Sequence, residues 1–210
     1  MAQTRRPTYD SAGHFLRRRS ALRLLLAAPV ALAACQVPSS INQNPVVTFQ
    51  NVSPLQFDAA QVEFVDAYRP PLTAPNVEHL LQQTPATAAR DWARARIAAV
   101  GPTGTVRVTV HDASIVEVKL PTRQGVAGLF YNEQEIRYDA ALEVSIEYVG
   151  RAIGAGQART RVIRTQTVPE TLTVNERSQV FYTLLKGLTD DLDRELTASA
   201  RRYLGQFIRN

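Results

Sequence analysis

Ile136-Arg137-Tyr138-Asp139-Ala140-Ala141-Leu142-Glu143-Val144-Ser145-Ile146-Glu147-Tyr148 alternates apolar and polar residues almost without a break. Successive side chains of an extended strand point to opposite faces. Ile136, Tyr138, Ala140, Leu142, Val144, Ile146 and Tyr148 therefore share one face, and Arg137, Asp139, Glu143, Ser145 and Glu147 the other. A strand apolar on one side and charged on the other belongs to a sheet covered on one face and open to water on the second, the habit of antiparallel sheets.

On its C-terminal side, the short connection from Gly150 to Gly156 leads into Gln157–Val168. There Thr160, Val162 and Val168 fall on one face and Arg159, Arg161 and Thr165 on the other. The two strands are expected to form an antiparallel hairpin, in which Gly154-Ala155-Gly156 is a turn and not a phosphate cradle. On the N-terminal side, Val106, Val108, Val110, Val116, Val118 and Leu120 alternate with residues that include Arg107, Thr109, His111, Glu117 and Lys119. That pattern predicts one long half-buried strand from Val106 to Leu120. A further strand is expected over Ala60–Tyr68, ended by Pro70 and Pro71.

Two helices complete the pattern. Thr84 before Pro85 is an N-cap followed by a first-turn proline. Ala88, Ala89, Trp92, Ala95 and Ala99 recur at helical spacing until Gly101-Pro102, so a helix is expected over residues 85–99 with Trp92 docking it on the sheet. Pro169 ends the sheet, and Thr173 with Glu176 forms a capping box. From there Phe181, Leu184, Leu185, Leu188, Leu192, Leu196, Tyr203, Leu204 and Phe207 mark a stripe through residue 208, with Gly187 and Gly205 as weak points. The fold expected is α+β: a single domain with a four-stranded, mostly antiparallel sheet and one short and one long C-terminal helix packed on one face.

The chain has 210 residues, one Cys and three His, at 14, 79 and 111. A single Cys excludes an internal disulfide, and these residues lack zinc-ligand spacing, so no metal or cofactor is expected. The net charge of +5 is confined to the front. Residues 1–34 hold six Arg (Arg5, Arg6, Arg17, Arg18, Arg19 and Arg23) and one acid, Asp10. Of 24 basic and 19 acidic residues, this leaves 18 of each from Cys35 onward, so nothing points to a nucleic-acid partner. After Arg23 comes the apolar run Leu24 to Ala34, whose eleven residues fall short of the about 20 that span a bilayer. Residues 36–48, with Pro38, Ser39, Ser40, Asn42, Gln43, Asn44 and Pro45, lack periodicity and read as a tether. The expected division is therefore 1–34 as signal peptide, 35–50 as modified Cys and flexible tether, and 51–210 as the α+β domain.

Leu32-Ala33-Ala34-Cys35 resembles the lipobox of bacterial lipoproteins in all four positions, and the sole Cys stands where that signal needs it. The resemblance implies cleavage after Ala34, with Leu32, Ala33 and Ala34 read by the signal peptidase. It also implies acylation of Cys35, which holds the protein on the membrane. Gln36 in place of the Asp typical of inner-membrane retention points to the periplasmic face of the outer membrane. Arg18-Arg19-Ser20-Ala21-Leu22-Arg23 resembles a twin-arginine export motif, with Ala21 where Phe is usual, and both export routes stay open.

Chemistry-bearing residues are few. His111-Asp112 with Ser114 invites a hydrolytic triad, but neighbouring residues of a regular strand face opposite ways. Asp190, Asp191, Asp193 and Glu195 resemble a metal cluster less than a solvated helix face. The connection from Pro121 to Asn132 exceeds a hairpin's need and carries Gly128-Leu129-Phe130-Tyr131. These residues either insert into a partner or membrane or fold back on the core edge.

The order of elements is similar in layout to small Gram-negative outer-membrane lipoproteins, among them the LPS-assembly lipoprotein and auxiliary lipoproteins of lipid-transporting ABC systems. Asp112-Ala113-Ser114, Gly128-Leu129-Phe130, Arg137-Tyr138, Val168-Pro169-Glu170 and Asp190-Asp191-Leu192 resemble a bacterial lipoprotein family of unknown function. The expectation is a non-enzymatic accessory or partner-binding factor of an envelope assembly or transport complex. The alternative is a lipid or small-molecule binder using a cleft between the long helix and the sheet.

Overall fold

The computed structural model describes residues 46–121, 136–150 and 154–209. In chain order these form β1 (Leu55–Phe57), β2 (Gln61–Asp66), α1 (Pro85–Arg96), β3 (Ile97–Ala99), β4 (Thr105–Asp112), β5 (Ile115–Lys119), β6 (Ile136–Gly150), β7 (Gly154–Val168), α2 (Val174–Leu204) and β8 (Ile208–Arg209). Single 3-10 turns occupy Glu78–Leu80 and Gly205–Phe207.

The alternating segment is β6, the middle of the larger sheet. β7 pairs antiparallel along one edge from Ile136↔Val168 to Gly150↔Gly154; this is the expected hairpin, but Gly154-Ala155-Gly156, expected as its turn, are the first residues of β7, paired with Gly150, Val149 and Tyr148. β4 and β5 share the other edge, also antiparallel, and β2 adds outside β4 in parallel, from Gln61↔Thr105 to Asp66↔Val110. Tyr138, Leu142, Val144 and Ile146 are fully buried on the covered face.

Instead of four strands there are five in this sheet, because the segment read as one long strand breaks in two. The register slips between Val110↔Val144 and Asp112↔Glu143, leaving His111 as the extra residue of a bulge. The Asp112 side chain then accepts the Ser114 backbone N–H at 3.1 Å, turning the chain before β5 starts. The facing reverses across this break: Ile115 enters the core at 0% exposure, while Val116 and Val118 lie opposite Asp139 and Arg137 on the open side.

A second, three-stranded sheet, β3-β1-β8, was not expected. α1 stops at Arg96, three residues short of the expected 99, because Ile97–Ala99 pair in parallel with Leu55–Phe57. β8 closes the other side of β1 antiparallel, with Phe57 opposite Ile208.

α2 begins as its sequence dictates. The Glu176 N–H donates to Thr173 Oγ1 at 3.3 Å, and the Thr173 N–H donates to Glu176 Oε2 at 2.8 Å. Thr173→Ala is expected to lower stability by about 1 kcal/mol, read as an earlier urea midpoint at unchanged slope. The helix runs 31 residues, about 46 Å, with Leu188, Leu192, Leu196 and Leu204 fully buried against the sheet. It ends at Leu204 rather than 208: Phe207 leaves the helix to stack on Tyr148, ring centroids 4.2 Å apart, before β8 pairs. Gly187 lets α2 approach β7 closely, since a Cβ there would lie 2.6 Å from the Arg164 guanidinium. Arg164 donates past it to Asp191 at 2.6 Å.

α1 lies beside α2. Trp92 is fully buried, as expected of a docking residue, and its indole N–H donates to Asp193 Oδ1 at 2.7 Å. Arg96 grips the same carboxylate with two nitrogens, Nε at 2.7 Å from Oδ1 and Nη2 on Oδ2, and also donates to the Ser53 carbonyl. No helix among the described residues is long and apolar enough to cross a membrane.

Candidate binding face of the sheet

The face of β2, β4, β6 and β7 turned away from the helices is built in rows by strand register. Glu63, Arg107 and Glu147 stand side by side on β2, β4 and β6. Arg107 donates from Nε to Glu63 at 2.9 Å and from Nη1 to Glu147 at 3.3 Å. Lower on the sheet, Glu143 accepts Arg159 Nε at 2.6 Å and Arg161 Nη1 at 3.1 Å. The Arg159 hydrogen bond, with a smaller contribution from Arg161, holds the Glu143 carboxyl below its ordinary range against the upward push of burial. Arg161 also meets Asp112 at 2.7 Å. Arg137 donates to Asp139 at 2.8 Å, and Thr165 donates to the other oxygen of that carboxylate at 3.0 Å.

The bulge brings Asp112 to the face that His111 already occupies. In a regular strand His111 and Asp112 would face opposite ways; here one residue of register is absorbed, and the side chains of both engage open-face residues. His111 Nε2 lies 2.8 Å from Ser145 Oγ, the two sharing one hydrogen bond, while Asp112 turns to Arg161. Burial lowers the His111 pKa, and the Arg159 charge adds to that effect, so the imidazole is neutral at neutral pH. A hydrolytic site needs a carboxylate on the second imidazole nitrogen. The two Asp112 oxygens are taken by the Ser114 N–H and by Arg161.

Most charges on this face are matched by a neighbour of opposite sign. Such a surface offers both signs in alternation and suits a polar protein surface better than a polyanion. Midway along the edge strand β7, Ile163 is 64% exposed, an apolar spot between Arg161 and Thr165 on the same face.

The other expected site residues divide in two. Cys35, with Leu32, Ala33 and Ala34 before it, and Gly128, Leu129, Phe130 and Tyr131 lie outside the described residues. The α2 acids are each engaged: Asp190 by Lys186, Asp191 by Arg164 and Arg194, Asp193 by Trp92 and Arg96, and Glu195 near Arg194. No group of three potential metal ligands occurs among the described residues. The contact of α2 with the sheet, where a lipid cleft was the alternative, is filled by the fully buried Leu188, Leu192, Leu196 and Leu204. Sequence reading missed Ser145, Glu143, Arg159 and Arg161 as partners. The register that begins at Gly150↔Gly154 pairs Glu143 with Arg161 and Ser145 with Arg159, whereas a turn at Gly154-Ala155-Gly156 would have set these residues out of line.

No family model matches the chain, and no curated protein matches it. Its fold is similar to solved structures, among them rare lipoprotein B from Shewanella oneidensis, with a TM-score of 0.36, 12% identity, and coverage of 68% of this chain and 95% of that one. It is also similar to a minor lipoprotein from Acinetobacter baumannii, with a TM-score of 0.34, 14% identity, and coverage of 71% and 96%. A third is a Helicobacter pylori homolog of a neuraminyllactose-binding hemagglutinin, with a TM-score of 0.41, 6% identity, and coverage of 76% and 93%. A likeness of this size is one of general layout, and function has to come from the chain's own residues.

Proposed function

We propose that this protein is a lipoprotein held by an acylated Cys35 on the periplasmic face of the outer membrane. There it serves as a non-enzymatic accessory factor that docks a protein of an envelope assembly or transport complex on the open face of its larger sheet. The observation that carries the docking role is that face itself. Its side chains are fixed by cross-strand pairs such as Glu143 with Arg159 and Arg161, so little freedom is lost when a partner seats. Ile163, exposed on the edge strand β7 beside the charged rows, supplies an apolar anchor for the partner. The non-enzymatic reading is supported by the hydrogen bonding of His111 and Asp112, which use the contacts that acid–base work would require for structure instead.

The test is a photoreactive phenylalanine analogue at residue 163 in cells, compared with the same analogue at Tyr203, which is 57% exposed on α2. A discrete adduct from residue 163 that is absent from residue 203 is expected. Equal adducts at both residues, or none at 163, overturn the docking face.

A further inference from the structure

We infer that the end of the domain built from the Pro70–Pro75 loop, the Glu78–Leu80 turn and the start of α2 is a bilayer-contact surface, which lies against the phospholipid when the tether is anchored. This rests on acylation of Cys35. The first observation is where the tether is fastened. Val47 is 6% exposed and packs with Ala88 and Leu185, next to Phe49 and Tyr182. Its backbone is gripped on both sides by one side chain: the Val47 N–H donates to Gln83 Oε1 at 2.8 Å, and Gln83 Nε2 donates to the Val47 carbonyl at 3.2 Å. Tyr182 and Leu185 are eight and eleven residues from Val174, about 12 to 17 Å along the helix, whereas Leu204 is about 30 Å the other way. The chain thus joins the domain in the third of α2 nearest its N-terminus. Ten residues lie between Cys35 and Val46, so eleven Cα steps give at most about 40 Å of chain.

The second observation is that large apolar side chains are displayed at this end. Val174 at the first position of α2 is 83% exposed, Leu80 is 67% exposed and Leu72 is 64% exposed. Leu80 borders the same small recess as Ser178, one helical turn from Val174. Leu72 is placed by the strand edge. The Glu117 N–H donates to the Pro75 carbonyl at 2.8 Å and Asn76 bridges Val116 antiparallel, so the loop before them runs toward Lys119, whose partner Ile136 is paired with Val168. Val168 lies six residues before Val174. Leu72, in a loop of three prolines, is held at a φ of 60°, a left-handed conformation that costs a bulky residue energy, with its side chain exposed. Water gains nothing from three such side chains, while a lipid surface within reach of a short tether does.

The experiment uses the acylated full protein. With the only native thiol acylated, Leu72→Cys, Leu80→Cys, Val174→Cys, Ile163→Cys and Tyr203→Cys each carry one free thiol for bimane. Labelled proteins are reconstituted into phosphatidylethanolamine–phosphatidylglycerol vesicles containing lipids brominated along the acyl chain. About twofold quenching is expected at 72, 80 and 174, and little at 163 or 203, matching the shallow insertion of interfacial side chains. In the Leu80→Asp, Val174→Asp background, quenching at 72 is expected to fall, which separates lipid contact from a folding defect because both altered residues are exposed. Uniform or absent quenching in palmitate-labelled protein overturns this orientation alone, and leaves a protein as the occupant of that end. Wild-type protein that takes up no palmitate overturns the anchoring and the orientation with it.

Discussion

Cys35→Ala is expected to abolish incorporation of alkyne palmitate and to move the whole protein from the outer-membrane fraction to the soluble periplasm. No helix among the described residues is long and apolar enough to cross a bilayer. The surface inferred to touch lipid contributes three side chains, Leu72, Leu80 and Val174, whereas each acyl methylene buried is worth about 0.8 kcal/mol and two or three chains total tens of kcal/mol. Losing the chains therefore changes partitioning by many orders of magnitude, and the exposed residues alone do not restore it. The domain itself should be unaffected, since its core is built from the described residues from Val47 to Phe207, and the variant's urea midpoint should equal that of the unacylated wild type. If the variant stays in the membrane and keeps its label, the lipobox reading of Leu32-Ala33-Ala34-Cys35 is wrong. If the wild type itself is unlabelled and soluble, Cys35 is only a residue of the cleavage region and the accessory role loses its location.

What the sequence could and could not disclose follows from the length over which a pattern repeats. β6 and α2 were legible because fifteen and thirty-one residues hold a steady period, while β7, whose covered face includes Arg164 and Gln166, was legible only over 157–168. The capping box was legible because both partners lie within four residues. β1, β3 and β8 have three, three and two residues, too few to show any period, and they are strands only because segments forty and more residues apart meet. The break between β4 and β5 was hidden for a different reason. Apolar residues continue at even positions on both sides, so the pattern looks unbroken while a bulge at His111 exchanges the faces. That misreading also concealed the candidate site. With His111 and Asp112 assigned to opposite faces there was no reason to look for Ser145 or Arg161 as partners. They stand 34 residues from His111 and 49 from Asp112 along the chain and adjoin them only through strand register.

Asp193→Ala should cost about 3 to 5 kcal/mol of folding stability, the largest loss among the polar residues described. Its carboxylate is the one group that joins both helices to the loop before β1: it receives the Trp92 indole N–H and two nitrogens of Arg96, which also donates to Ser53. Arg96 is 13% exposed, so removing its partner leaves a guanidinium largely out of water and unpaired, together with an orphaned indole donor in the core. Burial pushes the Asp193 carboxyl up. The hydrogen bonds from Arg96 and Trp92, with the Arg96 charge, outweigh that push, and the group titrates below an ordinary aspartate. A carboxyl whose folded pKa is depressed contributes stability that is complete above its unfolded value, about 3.9, and is lost as pH falls through the folded value. The gap between wild type and Asp193→Asn, which keeps the shape and removes the charge, should hold constant from neutral pH to about pH 5 and close below about pH 4. Urea midpoints of wild type, Asp193→Ala and Asp193→Asn across that range decide the matter. A loss under about 1 kcal/mol, or a gap that persists unchanged at low pH, would mean that the clasp is ornamental and that the fully buried Trp92 holds α1 by apolar packing alone.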